Sequence, residues 1–166
     1  TGNGISPMLH PPLPGSAVKV NSYIHDETGI TTERADLTIS MTEKRLRKGE
    51  TLRRETGAMN PVAGYGSDEA STTLLCWGST LPVCREVAGS LGFRVVQPVV
   101  LSPFPADQLK AALSGTGRVI AVEENALGQL RMLCARHDIT VDAAVLKYDG
   151  RPFAVEELVR RLGEAA

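Results

Sequence analysis

Four apolar, β-prone runs alternate with four amphipathic stretches in the last hundred residues, and this constrains the fold more than any other feature. The runs are Thr72–Trp77, Arg94–Val100, Arg118–Val122 and Ala143–Tyr148. Between and after them, Val83, Val87 and Leu91 recur at helical spacing. Leu109, Ala112 and Leu113 follow Pro105, which suits a first helical turn. Leu127, Leu130 and Cys134 mark a third helix, and Val155, Leu158, Val159 and Leu162 a fourth. Strand and helix in strict alternation imply βαβ units and a mainly parallel sheet. Continuously apolar strands agree, because a central parallel strand is covered on both faces. The expectation is a three-layer α/β/α domain over 67–166.

The first 66 residues have a different texture. Pro7, Pro11, Pro12 and Pro14, with Gly2, Gly4 and Gly15, keep the opening extended. Only Ala17–Val20 is strand-like there, and the segment up to about residue 33 is expected to take its order from another domain or subunit. A helix is predicted over 34–55, with Thr32 as N-cap and Glu33 and Asp36 near its positive end. Leu37, Met41, Lys44 and Lys48 trace one side. The basic run Glu43–Lys48 reads as a solvated face, or as a helix meeting an acidic partner. Asn60–Asp68 reads as a linker. The division expected is 1–66, an extended segment plus helix forming the tail of a preceding domain, and 67–166. The opening Thr1–Pro7 reads like a loop from a longer protein.

Bulk properties narrow the function classes. The 166 residues carry a net charge of -1 and are 42% hydrophobic and 4% aromatic. A core can be built, mainly from Val, Leu, Ile and Ala. No basic stripe with aromatics suggests nucleic acid. No apolar run approaches the ~20 residues needed to cross a bilayer. Cys76, Cys84 and Cys134 form no C-x-x-C, against a disulfide scaffold, zinc ribbon or iron–sulfur cluster held by this chain alone. They are expected to be reduced packing residues in a cytoplasmic protein.

Three places could carry chemistry. Gly78, Ser79 and Thr80 join a strand to a helix; Gly78 allows a tight turn, Ser79 or Thr80 can cap, and free N–H groups could meet an anion. The alternative is an ordinary capped turn. This is neither a dinucleotide fingerprint nor a P-loop. Glu123, Glu124, Asn125, Gly128 and Gln129 lie past the third apolar run, where ligands and partners approach an α/β sheet. The plain reading is a capped helix with a solvated acidic turn. A glycine inside a helix costs up to about 1 kcal/mol against Ala. Close approach of another backbone is the expected reason for Gly128, so Gly128→Leu should weaken assembly more than fold. Third, His25, Asp26 and Glu27 precede Thr28 and Gly29. Adjacent residues rarely converge on one ion, so a structural or interface role is expected. His10 and His137 have no supporting neighbours.

Four blocks then carry a resemblance. Val20–Gly29, with His25, Asp26, Glu27 and Gly29, continuing into Met41–Lys48, resembles the α subunit of 2-oxoacid:ferredoxin (or flavodoxin) oxidoreductases. Leu75–Thr80 resembles the strand and turn that open that family's C-terminal domain. Gln97-Pro98 with Pro103–Pro105 is similar to a third segment, and Val122–Asn125 with Gly128–Leu130 to a fourth. The blocks follow the family's order over nearly the whole chain. Thr28 departs, standing where the family has an aromatic residue.

The resemblance implies a transketolase C-terminal-domain-like fold with a mixed sheet of about five strands, one of them an antiparallel edge. It implies part of an enzyme that oxidatively decarboxylates a 2-oxoacid to acyl-CoA and reduces ferredoxin. Thiamine diphosphate, magnesium and iron–sulfur clusters belong to the complete enzyme, and none is expected on this portion. Expected partners are the rest of the α subunit and the β subunit, with ferredoxin or flavodoxin and coenzyme A for the whole. The portion is expected to be an inactive scaffold within an oligomer. The rivals are another thiamine enzyme, such as a transketolase or a dehydrogenase E1 β chain, and a small-anion or nucleotide-binding module at Gly78–Thr80.

Overall fold

A computed structural model describes residues 2–8, 10, 12, 14–15 and 22–164. It divides into two compact units, Thr1–Ala58 and Met59–Ala166.

In the second unit the order is β1 (Val62–Tyr65), β2 (Thr72–Cys76), α2 (Leu81–Leu91), β3 (Arg94–Pro98), α3 (Ala106–Leu113), β4 (Arg118–Glu123), α4 (Gln129–Ala135), β5 (Ala143–Leu146) and α5 (Val155–Glu164). The label α1 is kept for the helix of the first unit, Ala35–Gly57. The five strands lie in the order β1-β3-β2-β4-β5. β3, β2, β4 and β5 run parallel, and β1 runs antiparallel to β3 at the edge. The mixed five-strand sheet expected from the resemblance is present.

Alternation along the central strands divides the core between the two faces of the sheet. Leu74 and Cys76 of β2, with Ile120 and Val122 of β4, pack with Cys84 and Val87 of α2 and Leu158 and Leu162 of α5. Leu75, Val119 and Ala121 instead pack with Leu109 of α3 and with Leu130 and Cys134 of α4. A helical layer therefore covers each face. The apolar runs overshoot their strands: Trp77 lies past β2, and Val99 and Val100 donate N–H bonds of 2.8 and 3.3 Å back to Pro61 O.

The stretch read as a linker contains β1. Residues 62–65 pair with 95–98. Gly64 leaves room for Arg94, whose Nη2 would stand 3.1 Å from a Cβ there. Arg94 then donates to Ala112 O at 2.7 Å and pairs with Asp68 at 2.8 Å. The boundary between compact units thus falls before β1, ahead of the expected 66/67.

In the first unit, α1 buries only Thr51. Its N-cap is Arg34, with no side-chain cap bond, and Thr32 instead accepts the Arg34 N–H at 3.2 Å. The described part of the opening segment is not without order of its own. Gly4 lies so close to α1 that a Cβ would stand 2.5 Å from Lys44 O and 2.6 Å from Lys48 N. Thr51 Oγ1 donates to Asn3 O at 3.0 Å, and Lys44 Nζ to Ser6 Oγ at 2.5 Å. The strand-like run 17–20 lies outside the described residues.

Candidate functional site

The carboxyl ends of β2 and β4 bring two of the three predicted places together. After β2, Gly78 takes φ 58°, and residues 78–80 form one turn of 3-10 helix ahead of α2. The Thr80 hydroxyl donates to Trp77 O at 2.8 Å and accepts the Trp77 N–H at 3.3 Å. It braces the turn; neither Thr80 nor Ser79 caps α2 through its side chain. Ser79 Oγ donates to Glu124 Oε2 at 3.3 Å, and Glu124 Oε1 accepts the Phe153 N–H at 3.2 Å. Glu124 thus ties the ends of β2 and β4 to the approach to α5. A carboxylate against this turn opposes an anion there, because like charges at this range repel.

Glu123 is fully buried, not part of a solvated turn. It ends β4, and its carboxylate accepts the N–H groups of Leu130 at 2.7 Å and Arg131 at 3.1 Å. Asn125 Nδ2 donates to it at 2.8 Å. Asn125 Oδ1 in turn accepts the N–H groups of Leu127, Gly128 and Gln129 at 3.1, 2.8 and 3.1 Å. The first N–H groups of α4, which no helix can satisfy internally, are all taken. A carboxylate at a helix N-terminus also meets the favourable end of its dipole. The Glu-x-Asn-x-x-Gly pattern is an internal cap that locks α4 to β4.

Gly128 is the N-cap of α4 with φ 66° and ψ 53°. A Cβ there would meet its nearest neighbours at 3.7 Å, ordinary contact. Within the chain itself the left-handed backbone favours glycine, and no neighbour of this chain makes the close approach expected from the sequence. Leu127 precedes the helix and is 70% exposed; Gln129 is exposed as well.

Sequence reasoning missed Lys147 at the same end of the sheet. Although Lys147 follows β5, it is only 7% exposed. Its Nζ bonds Glu157 Oε2 and lies 3.6 Å from Asp149. Arg161 pairs with Glu157 at 2.7 Å and donates to Leu146 O at 2.8 Å. The hydrogen bond from Lys147, then its charge and that of Arg161, hold the Glu157 carboxyl below its usual range. The signal available was Glu157 and Arg161 at i, i+4, one helical face behind a lysine that interrupts an apolar run. Beside this network Tyr148 is 74% exposed.

The third predicted place lies in the other unit and is a hairpin tip. His25 and Thr31 form an antiparallel bridge. Asp26 Oδ1 accepts Thr28 N at 2.9 Å, Thr28 Oγ1 at 2.6 Å and Ile30 N at 3.0 Å, and these bonds hold its carboxyl below the usual range. The Gly29 N–H donates to Asp26 O at 3.1 Å. His25 Nδ1 bonds Tyr23 O at 3.1 Å. Glu27 is exposed. Of the other histidines, His137 stacks on Phe104 with ring centroids 4.9 Å apart.

All three cysteines are free and buried. Burial, with the Glu123 carboxylate adding to it, pushes the Cys134 thiol up to about 12. Among the described residues no group of three or more His, Cys, Asp or Glu could hold a metal ion, and no helix is long and apolar enough to cross a membrane.

Comparison with known proteins gives this arrangement its context. No protein-family model matches the chain. Subunit α of 2-oxoacid:ferredoxin oxidoreductase 2 from Aeropyrum pernix is 33% identical over 98% of the chain. The chain is similar to a portion of that α subunit. Subunit α of 2-oxoacid:ferredoxin oxidoreductase 1 from Sulfurisphaera tokodaii is 30% identical, also over 98%. The chain spans 26% of the length of each of these relatives. A solved 2-oxoglutarate:ferredoxin oxidoreductase from Magnetococcus marinus, with 2-oxoglutarate, coenzyme A and succinyl-CoA bound, matches with a TM-score of 0.68 and 27% identity. That match covers 99% of this chain and 29% of the other.

Proposed function

We propose that this chain is the C-terminal portion of the α subunit of a thiamine-dependent 2-oxoacid:ferredoxin oxidoreductase, and that it serves as scaffold and subunit contact. The carrying observation is the likeness to oxidoreductase α subunits over nearly the whole chain, confined to about a quarter of their length. The complete enzyme oxidatively decarboxylates a 2-oxoacid to acyl-CoA and passes the electrons to ferredoxin or flavodoxin in the cytoplasm. Its partners in this reading are the rest of the α subunit and the β subunit.

The residues present do not fit the enzyme's cofactors. The cysteines are dispersed in the core, and no convergent acidic group among the described residues offers a site for magnesium and a diphosphate. In this reading thiamine diphosphate and the clusters are held by the other parts of the complex. At the carboxyl end of the sheet, Glu123, Asn125, Thr80 and Lys147 are consumed by internal bonds. Exposed there are Leu127, Tyr148, Ser79 and Gln129, together with the carboxylates of Glu124 and Asp149. Such a rim suits contact with another polypeptide surface.

Reconstitution tests the proposal. The chain alone should give no 2-oxoacid- and coenzyme A-dependent reduction of ferredoxin. Mixed with the remainder of the α subunit and the β subunit, it should restore that reduction. Turnover by the isolated chain, or full activity without it, would refute the reading.

A further inference from the structure

The first unit contains a cavity of about 630 Å³ between the hairpin tip and α1. Residues of two segments singled out in the sequence, His25–Thr28 and Met41–Lys48, line it. Leu37 and Met41 supply apolar lining, and Lys44 and Arg47 present two cations from one side of α1, at i, i+3.

Among the described residues these cations form no ion pair. All 19 Asp and Glu side chains lie among the described residues, and none pairs with Lys44 or Arg47. Lys44 is half-buried, and among the described residues its ammonium bonds the Ser6 hydroxyl alone. Two carboxylates also line the cavity, but Asp26 is engaged by the turn, its Oδ1 accepting three bonds, and Glu27 is exposed. A half-buried ammonium without an anionic partner is stabilised by acquiring one.

We propose that this cavity binds a small oxyanion, a carboxylate or phosphate group, through Lys44 and Arg47, with the Ser6 hydroxyl beside them. The site lies within the first unit, and the proposal does not depend on the oxidoreductase reading. The test is calorimetry on the full chain at low ionic strength, with inorganic phosphate and with malonate as probes. Saturable 1:1 binding of phosphate assigns a phosphate group, and of malonate a carboxylate. Lys44→Gln and Arg47→Gln should each weaken it about tenfold, the loss of one charge-assisted contact. Arg53→Gln, on α1 but outside the cavity, should leave it unchanged. Arg47 is exposed, so its variant keeps the test sound if Lys44→Gln fails to fold, as checked by circular dichroism. Saturation by neither anion, including the case where only an acidic polypeptide binds, overturns the proposal. So does an equal loss in Arg53→Gln.

Discussion

The two units hold their helices in place by different means. In the second, each helix presses apolar side chains onto one face of a sheet, and Leu74, Leu75, Leu109 and Leu158 are fully buried. In the first, the 23-residue helix α1 buries only Thr51, and Ile39 and Leu46 are 59% and 67% exposed. The described part of its opening segment is held by a glycine contact and hydroxyl bonds, with little apolar burial. Helical stability in proteins comes mostly from packing an apolar face. The second unit therefore carries most of the chain's own folding free energy, and the first is the part most open to being ordered further by a partner.

Core truncation should separate the units most sharply. Leu74→Ala removes a buried side chain between sheet and helices and should cost about 3 kcal/mol. Leu46→Ala, on the exposed face of α1, should stay within about 0.5 kcal/mol. Denaturant unfolding of the two variants checks this; equal losses would erase the contrast.

Next comes the internal cap. Glu123→Ala leaves the buried N–H of Leu130 and the part-buried N–H of Arg131 unpaired, at a cost of about 2 kcal/mol. Hydrogen exchange should accelerate first at the start of α4. Gly128→Leu should cost about 1.5 kcal/mol, because a side chain must adopt a left-handed conformation. This loss falls on the fold itself and should appear in the isolated chain. A Gly128→Leu chain of unchanged stability would restore the close-approach explanation.

A smaller effect should separate Lys147→Met from the parent by pH. The Glu157 carboxyl is lowered in the fold, so its pairing stabilises above the ordinary value of 4.5 and is lost as pH falls through the lower folded value. The two chains should differ in thermal stability at pH 7 and converge in acid. A difference that persists unchanged below pH 4.5 would remove Lys147 from that role.

What could be read in advance followed from periodicity. The strands β2 and β4 were legible because Leu74, Leu75, Ile120 and Val122 form unbroken apolar runs, and α5 because Leu158 and Leu162 recur on one face. β1 was not, because Pro61, Gly64 and Gly66 make a four-residue edge strand look like a turn. Antiparallel pairing to β3 alone makes it a strand. Glu123 was misread because acidity suggests solvent, and nothing local reveals that α4 turns its N-terminus onto the end of β4. Two glycines were only partly legible for a similar reason. Gly128 looked like a point of close approach and also has a left-handed backbone, whereas Gly4 looked like loose loop and touches the backbone of α1. Neither φ nor a contact 40 residues away is written in composition. The motifs were legible, but their local work was not: the block Val122–Leu130 contains the cap of α4.

The central claim is that this portion shapes the assembly and leaves the chemistry to other parts of the complex. The most direct test is the double variant Leu127→Asp, Tyr148→Asp, which places charge on the exposed rim without touching the core or the cap. Assembly with the remaining subunits would be followed by mass photometry, alongside turnover per assembled complex. The expected result is a higher concentration for half-assembly, with 2-oxoacid-dependent ferredoxin reduction per complex unchanged. Assembly at the parent concentration with turnover collapsed would contradict the account, because the rim would then belong to the catalytic machinery.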